Sequence, residues 1–238
     1  MPVTTWMDVV SAIRTRPIEL AVVDPLLGGE PRSVEIERIR QHFPSLPLVI
    51  YTVLAPETAG VLLDLGRAGI RRVILHRFDD APGTLRQLIQ AELEQSASRR
   101  ILAELTAALP GLPESLHRAL EAMLHAPGDN PTVAGLADQA QLTRRTCERL
   151  FSRRGLPSPK TVMLLARVLY AHRLLLDPGY TVEDVAEKLG YGRVRTLQMH
   201  LREAFGLTAG EVRMSLSPDD AVRLIVRRYL EAPRQAAS

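Results

Sequence analysis

Apolar positions follow two different periods along this chain. In the first hundred residues, short unbroken apolar runs occur at Leu20-Ala21-Val22-Val23, Leu48-Val49-Ile50-Tyr51 and Val73-Ile74-Leu75. Between them, at 34–42 and 58–68, apolar residues recur every three or four positions, and a further helical pattern begins at Pro82. Unbroken runs of this length bounded by turns fit strands buried on both faces, and the 3.6-residue spacing fits amphipathic helices. Strands alternating with helices predict a parallel sheet covered by helices. Residues 7–14 fit one helix ahead of the first strand.

Beyond residue 82 the pattern is helical. An apolar stripe through Leu85, Leu88, Ile89, Leu93, Ile101, Leu102, Leu105 and Leu109 is interrupted around Ser96-Ala97-Ser98. Its short, irregular heptads predict packed helices rather than a coiled coil. Pro110-Gly111-Leu112-Pro113 is a breaker and the best boundary. A helix is expected over 114–125, then a loop over 126–131. Near the end, Ser217-Pro218-Asp219-Asp220 opens a capped helix running to about residue 230, and the sequence leaves open what that helix packs on. The predicted organisation is an α/β domain over 1–95, a helical linker over 96–112, an all-α domain over 113–214, and a C-terminal helix and tail over 215–238.

The all-α domain contains the same pattern twice. Residues 132–151 and 181–201 each begin with a short helix, whose apolar positions include Val133, Leu136 and Ala137 or Val182, Val185 and Ala186. A turn follows, at Gln141-Leu142 or Gly190-Tyr191, and then a second helix with Leu150 and Phe151 or Leu197 and Leu201 facing in. This is the helix-turn-helix, in which the second helix enters a DNA major groove. The outward residues suit that task. Thr143 is placed to cap the first reading helix, and Arg144, Arg145, Thr146, Glu148 and Arg149 leave the face held by Cys147, Leu150 and Phe151. In the second, Arg193, Arg195, Thr196, Gln198, Met199 and Arg202 surround Val194, Leu197, Leu201 and Phe205. Arg bonds guanine bidentately, Gln bonds adenine, and Thr or Met touches the thymine methyl. The copies are joined by a helix capped by Ser158, started by Pro159 and stopped by Pro178-Gly179. At about 1.5 Å rise per residue it spans on the order of 25–30 Å, close to one DNA turn of about 34 Å, so it can place two reading helices in successive major grooves.

Charge adds to this picture. The chain carries +3 overall. Residues 133–213 hold 13 Arg plus Lys against 8 Asp plus Glu, whereas residues 1–98 hold 10 against 12. The basic excess lies with the repeated motif, as expected of a nucleic-acid-binding domain attached to something else.

Residues 129–214 resemble the DNA-binding domain of the AraC/XylS family of transcription regulators. The residues carrying the resemblance are Leu136-Ala137, Leu142-Thr143, Arg149-Leu150-Phe151, Gly155, Ser158-Pro159, Arg167, Ala171 and Leu174-Leu175, then Val185-Ala186, Leu189-Gly190-Tyr191, Phe205-Gly206, Thr208 and Arg213. Three positions depart from the family pattern: Ala209 stands where proline is usual, and Leu197 and Leu201 where phenylalanine is usual. These are apolar exchanges that touch packing more than fold. By similarity, base contacts fall on Arg145, Glu148 and Arg149 in the first reading helix, and on Arg193, Arg195, Thr196 and Met199 in the second.

The N-terminal α/β region resembles a two-component receiver domain that lacks its beginning. Asp24 ends a strand where that family has its phosphoacceptor, and Thr52 stands where it has Thr or Ser. His76-Arg77 replaces the expected lysine and proline. Only 23 residues precede Asp24, and they contain no acidic pair to hold Mg²⁺ beside it. Asp24 is therefore a vestigial phosphoacceptor position, with a turn residue before Pro25 as the plain alternative. A truncated sheet exposes an edge, and a second copy of the chain is its simplest cover, so a homodimer is expected.

Other chemistry is scarce. Cys147 is the one cysteine and falls on an inward face, so an internal disulfide is excluded and a reducing cytoplasm fits. The scattered histidines include His117 and His125, which are too far apart to share a metal, and no Gly-rich phosphate loop occurs. No signal peptide or membrane span is read. No nucleophile, base and oxyanion set can be named, so no enzyme, metal or cofactor is expected. The fold expected is multidomain, a truncated receiver-like parallel sheet with helices followed by a double helix-turn-helix domain. The expected function is sequence-specific regulation of transcription on double-stranded DNA, with RNA polymerase a further candidate partner. The alternative is a protein-interaction adaptor or atypical response regulator whose receiver-like domain binds a partner protein.

Overall fold

The computed structural model describes residues 2–16, 18–79, 81–94, 96–109, 111–125 and 132–231. The loop expected over 126–131 lies outside the described residues. The chain divides into two compact units.

The first unit runs from Met1 to Ala97 and takes in Asp177–Tyr180. Its elements alternate: α1 (Trp6–Thr15), β1 (Ala21–Val23), α2 (Ser33–His42), β2 (Leu48–Thr52), α3 (Pro56–Arg67), β3 (Val73–Leu75) and α4 (Pro82–Leu93). Local chemistry sets the helix starts. The Thr5 hydroxyl accepts the Asp8 N–H at 3.2 Å ahead of α1. Pro56 opens α3 at a position where a missing N–H costs nothing, and the Thr58 hydroxyl accepts the Ala55 N–H at 2.9 Å. The three strands lie side by side in chain order and are all parallel, with Val23 opposite Ile50 and Ile50 opposite Val73. Val23 and Ile50 pack with Ile36 of α2, Val61 and Leu65 of α3, and Ile70 into one apolar core. Both outer strands present an edge, and Val22 on β1 is 50% exposed. Asp177–Tyr180 completes this unit. The Ser45 N–H donates to Asp177 Oδ1 at 3.1 Å, and Tyr180 meets the Phe43 ring edge-on at 4.8 Å. The apolar stripe expected along α4 is only half-buried. The buried side chain of that helix is Glu92, ion-paired with Arg72.

The second unit holds Ser98–Leu176 and Thr181–Ser238. Here α5 (Ala97–Ala107) and α6 (Glu114–His125) precede α7 (Val133–Gln139), α8 (Arg144–Arg153), α9 (Pro159–Leu175), α10 (Val182–Lys188), α11 (Val194–Phe205), α12 (Ala209–Ser215) and α13 (Pro218–Ile225). Twelve of the 17 residues of α9 are buried, on every side of the helix. A helix apolar all round belongs at the centre of its domain, and α6, α8, α10, α11, α12 and α13 all pack on α9. The C-terminal helix, whose docking the sequence left open, lies against α9 and α11. It is also not α-helical to its end. After Ile225 the chain winds into a π turn over Val226–Leu230, with the Glu231 N–H donating to the Val226 carbonyl at 2.9 Å. The Tyr229 hydroxyl ties this turn to the Glu203 carbonyl at 2.7 Å.

Candidate nucleic-acid interface

The two repeats in the sequence are also repeats in backbone geometry. The Thr132 and Thr181 hydroxyls, 49 residues apart, accept the N–H of Gly135 (3.1 Å) and Asp184 (3.0 Å), capping α7 and α10. Two residues beyond the end of each first helix the backbone takes a positive φ, at Gln141 (56°) and Gly190 (66°), also 49 apart. The next N–H then turns back: Leu142 donates to Ala137 and Tyr191 to Ala186, both at 2.8 Å. Gly190 takes this left-handed conformation freely, while Gln141 takes it at a cost. The offset becomes 50 in the reading helices, whose caps are Thr143 and Arg193.

The inward faces explain why these helices hold their angle. In α8, Cys147 and Phe151 are fully buried beside Leu136 and Ala137 of α7. In α11, Leu197, Leu201, Ala204 and Phe205 are buried together with Val185, Ala186 and Leu189 of α10. Gly206, at φ 76°, ends α11, and its N–H donates to the Arg202 carbonyl. Burial pushes the Cys147 thiol's pKa above its ordinary value.

Arg144, Arg145, Glu148 and Arg149 stand exposed on α8. Arg193, the residue ahead of α11, is exposed too, as are Arg195, Gln198, Met199 and Arg202 on the helix itself; Met199 is 48% exposed although it is apolar. Three expected site residues are less free than the sequence suggested. Arg144 Nε donates to Glu148 at 2.9 Å along the helix, so these two are a pair. The half-buried Thr146 accepts the Thr143 hydroxyl at 2.9 Å, which occupies its oxygen within the cap. Thr196 is also half-buried. A shallow groove runs along α11 between Arg195, Met199 and Arg202 on one side and Thr208-Ala209-Gly210 on the other.

Sequence reading missed the ties that hold this domain together. Arg167 of α9 donates through Nη2 to the Leu189 carbonyl at 2.6 Å, and Arg213 of α12 donates through Nε to the Leu175 carbonyl at 2.6 Å. Each closes the C-terminal end of a helix that has run out of internal donors. His172, 1% exposed, donates from Nε2 to the Leu216 carbonyl at 2.9 Å and meets the Phe205 ring edge-on. Lys188 is buried at 1%, although a lysine in the last turn of a short helix reads as surface.

In the first unit, the Asp24 carboxylate accepts the Leu26 N–H at 2.9 Å, closing a turn. Thr52 ends β2 and is buried, and His76, just beyond β3, lies with its Nδ1 2.8 Å from the Tyr51 hydroxyl. Among the described residues no group of three or more His, Cys, Asp or Glu could hold a metal ion, and no helix is long and apolar enough to cross a membrane.

Two capped helix pairs carrying basic outer faces on one central rod define a double helix-turn-helix domain. Comparison with known families agrees: residues 136–215 match the family described as a helix-turn-helix domain. This stretch of the chain is an AraC-type DNA-binding domain, of the kind found in transcription regulators. No curated protein and no solved structure matches the chain.

Proposed function

We propose that this protein is a sequence-specific transcription regulator that reads double-stranded DNA with α8 and α11 in successive major grooves. The observation carrying this reading is the shared geometry of the two helix pairs on α9. A 17-residue helix is roughly 25 Å long, close to the spacing of successive major grooves. The base-reading residues are Arg145, Arg149, Arg193, Arg195 and Met199, with Glu148 and Thr196 beside them. Arg144, Thr146 and Arg202 serve the backbone. The first unit is a receiver-like module that takes no phosphate. Supporting this are the consecutive parallel strands, the engagement of Asp24 in its own turn, and a histidine where a receiver has lysine. The module joins two chains through a sheet edge. The exposed Val22 and an apolar cavity of about 740 Å³ between α1 and β1 favour that edge.

The test is retention of fragmented genomic DNA by the full-length protein at about 150 mM salt, followed by sequencing. A sharp motif with two blocks one helical turn apart is expected. Arg195→Ala at unchanged fold should lower affinity for that motif by about 5- to 150-fold, the worth of one good bidentate contact. Retention without a motif would reduce the reading to non-specific binding. No retention, with Arg195→Ala indistinguishable from wild type, would favour an adaptor. Sedimentation of the free protein as a monomer at micromolar concentration would remove the dimer.

A further inference from the structure

We infer that Arg167, Tyr191 and His200 are positioning residues that set the spacing between the two DNA half-sites the protein accepts. This rests on the proposed reading of α8 and α11 as DNA readers.

The three residues make a continuous bridge from the rod to the second reading helix. Arg167 stands on α9, on the side facing the second helix pair. Its Nη2 donates to the Leu189 carbonyl, at the end of α10, at 2.6 Å. Its guanidinium carbon lies 4.3 Å from the centroid of the Tyr191 ring, in the turn between α10 and α11. Tyr191, only 9% exposed, then places its hydroxyl 3.3 Å from Nδ1 of His200 on α11, and the two rings meet edge-on at 5.6 Å. One cation on the rod thus holds both the end of the first helix and the turn, and the turn holds the reading helix midway along its length. Arg167 is suited to this because its flat guanidinium stacks on a ring while still donating in its own plane; a lysine ammonium does not.

The space between the helix pairs makes the bridge matter. A cleft of about 330 Å³ lies there, bounded by Thr132 and Val133 at the start of α7, by Lys160 and Met163 on α9, and by Arg167 and His200. Close-packed side chains do not fill this space, so α11 is not set against the first pair by jigsaw contact. Its register relative to α8 passes through α9, by the apolar face of α11 and by this polar bridge. The apolar face resists separation, but hydrophobic contact is non-directional. Directional contacts hold α11 at two places: the His172–Phe205 ring contact and the Tyr229–Glu203 hydrogen bond act toward its C-terminal end, and the bridge acts at its middle, on the side of the cleft. Burial raises the Tyr191 pKa and lowers that of His200, so both groups are neutral near pH 7 and the bridge carries only the Arg167 charge.

Inserting or deleting one base pair between half-sites moves them by about 3.4 Å and turns them by about 34°. A rigid pair of readers pays for that and a loosened pair does not. The experiment uses full-length protein and duplexes carrying the motif recovered from genomic DNA, with the two blocks at native spacing, one base pair closer, or one base pair further apart. A duplex with only the α8 block serves as control. Wild type should lose at least about tenfold in affinity on either spacing change, comparable to losing one good base contact. Arg167→Met, Tyr191→Phe and His200→Ala should each cut that penalty to about threefold or less, while binding the single-block duplex within about twofold of wild type. His200→Asn, whose amide can stand where Nδ1 stood, should restore the penalty. If Arg167→Met fails to fold by circular dichroism, the other two substitutions decide. A wild-type spacing penalty in Tyr191→Phe and His200→Ala overturns the inference while leaving the regulator intact. Failure of wild type to recover any two-block motif overturns both.

Discussion

His172 makes the stability of the DNA-binding domain fall in mild acid. Its ring is 1% exposed on α9, beside the Phe205 ring, with Arg173 next in sequence. The Leu216 carbonyl can only accept, so Nε2 carries the proton of the neutral ring. Burial holds the imidazolium form down, and its pKa lies below the ordinary value of 6.5. Folding therefore favours the neutral ring. The contribution is full above the unfolded pKa near 6.5 and is lost as pH falls toward the folded value. In that window one group contributes a slope approaching about 1.4 kcal/mol per pH unit, since the unfolded chain binds one proton that the folded chain does not.

The assay is urea unfolding followed by helical circular dichroism at pH 7.5, 6.5 and 5.5, on wild type and His172→Gln. Glutamine can donate to Leu216 from nearly the same place and does not titrate. His200 is also shifted downward by burial, so wild type alone does not isolate the effect. The difference between the two proteins does. It should be flat above pH 7 and should move against wild type below about pH 6.5. A difference that stays flat to pH 5.5, or moves in favour of wild type, would refute the argument.

Three further outcomes are expected. Leu197→Ala empties a fully buried site on the inner face of α11 and should cost about 2–5 kcal/mol in urea unfolding. Cys147, buried and with its pKa raised, should resist a thiol reagent at pH 8 in the native protein and react fully in denaturant. Arg193 sits at an extended φ of −148° ahead of α11 and makes no side-chain cap. Arg193→Thr should stabilise the protein by about 1 kcal/mol while weakening DNA binding, as read by unfolding and by affinity for the recovered motif.

Much of the fold was legible because it rests on periodicity and punctuation. The strand runs, the helix starts at Thr143, Ser158-Pro159 and Ser217, and the turns at Gln141 and Gly190 follow from local chemistry, and the structure places them accordingly. What was not legible depends on partners far away in sequence. Nothing near Lys188 announces its burial, and nothing near Arg167 or Arg213 says that each closes a helix 22 or 38 residues away. The half-buried state of α4 escaped for the same reason: an apolar stripe says which face is sticky, not how much is covered. On the reading face, outward residues follow by subtraction, yet the pairing of Arg144 with Glu148 and the use of Thr146 in the cap depend on which rotamers those side chains adopt, which the sequence does not specify.

The one-residue change in offset between the repeats is where they stop being equivalent. Up to the turn, the copies match at 49 residues in caps, positive φ and the returning hydrogen bond; at the reading helices the match shifts to 50. The first reading helix has Thr143 as its cap, so one of its leading N–H groups is satisfied from within. The second has Arg193 there and no side-chain cap. Natural helices usually keep a capping residue worth about 1 kcal/mol, and this domain has one at Thr132, Thr143, Ser158, Thr181, Thr208 and Ser217. Against six such caps, their absence at α11 is hard to assign to indifference. An uncapped N-terminus flanked by Arg193 and Arg195 is the arrangement that favours an anionic oxygen. On the proposed reading the second helix gives up stability in the free protein for a backbone phosphate contact on DNA, which makes α11 the end of the domain that DNA binding stabilises most.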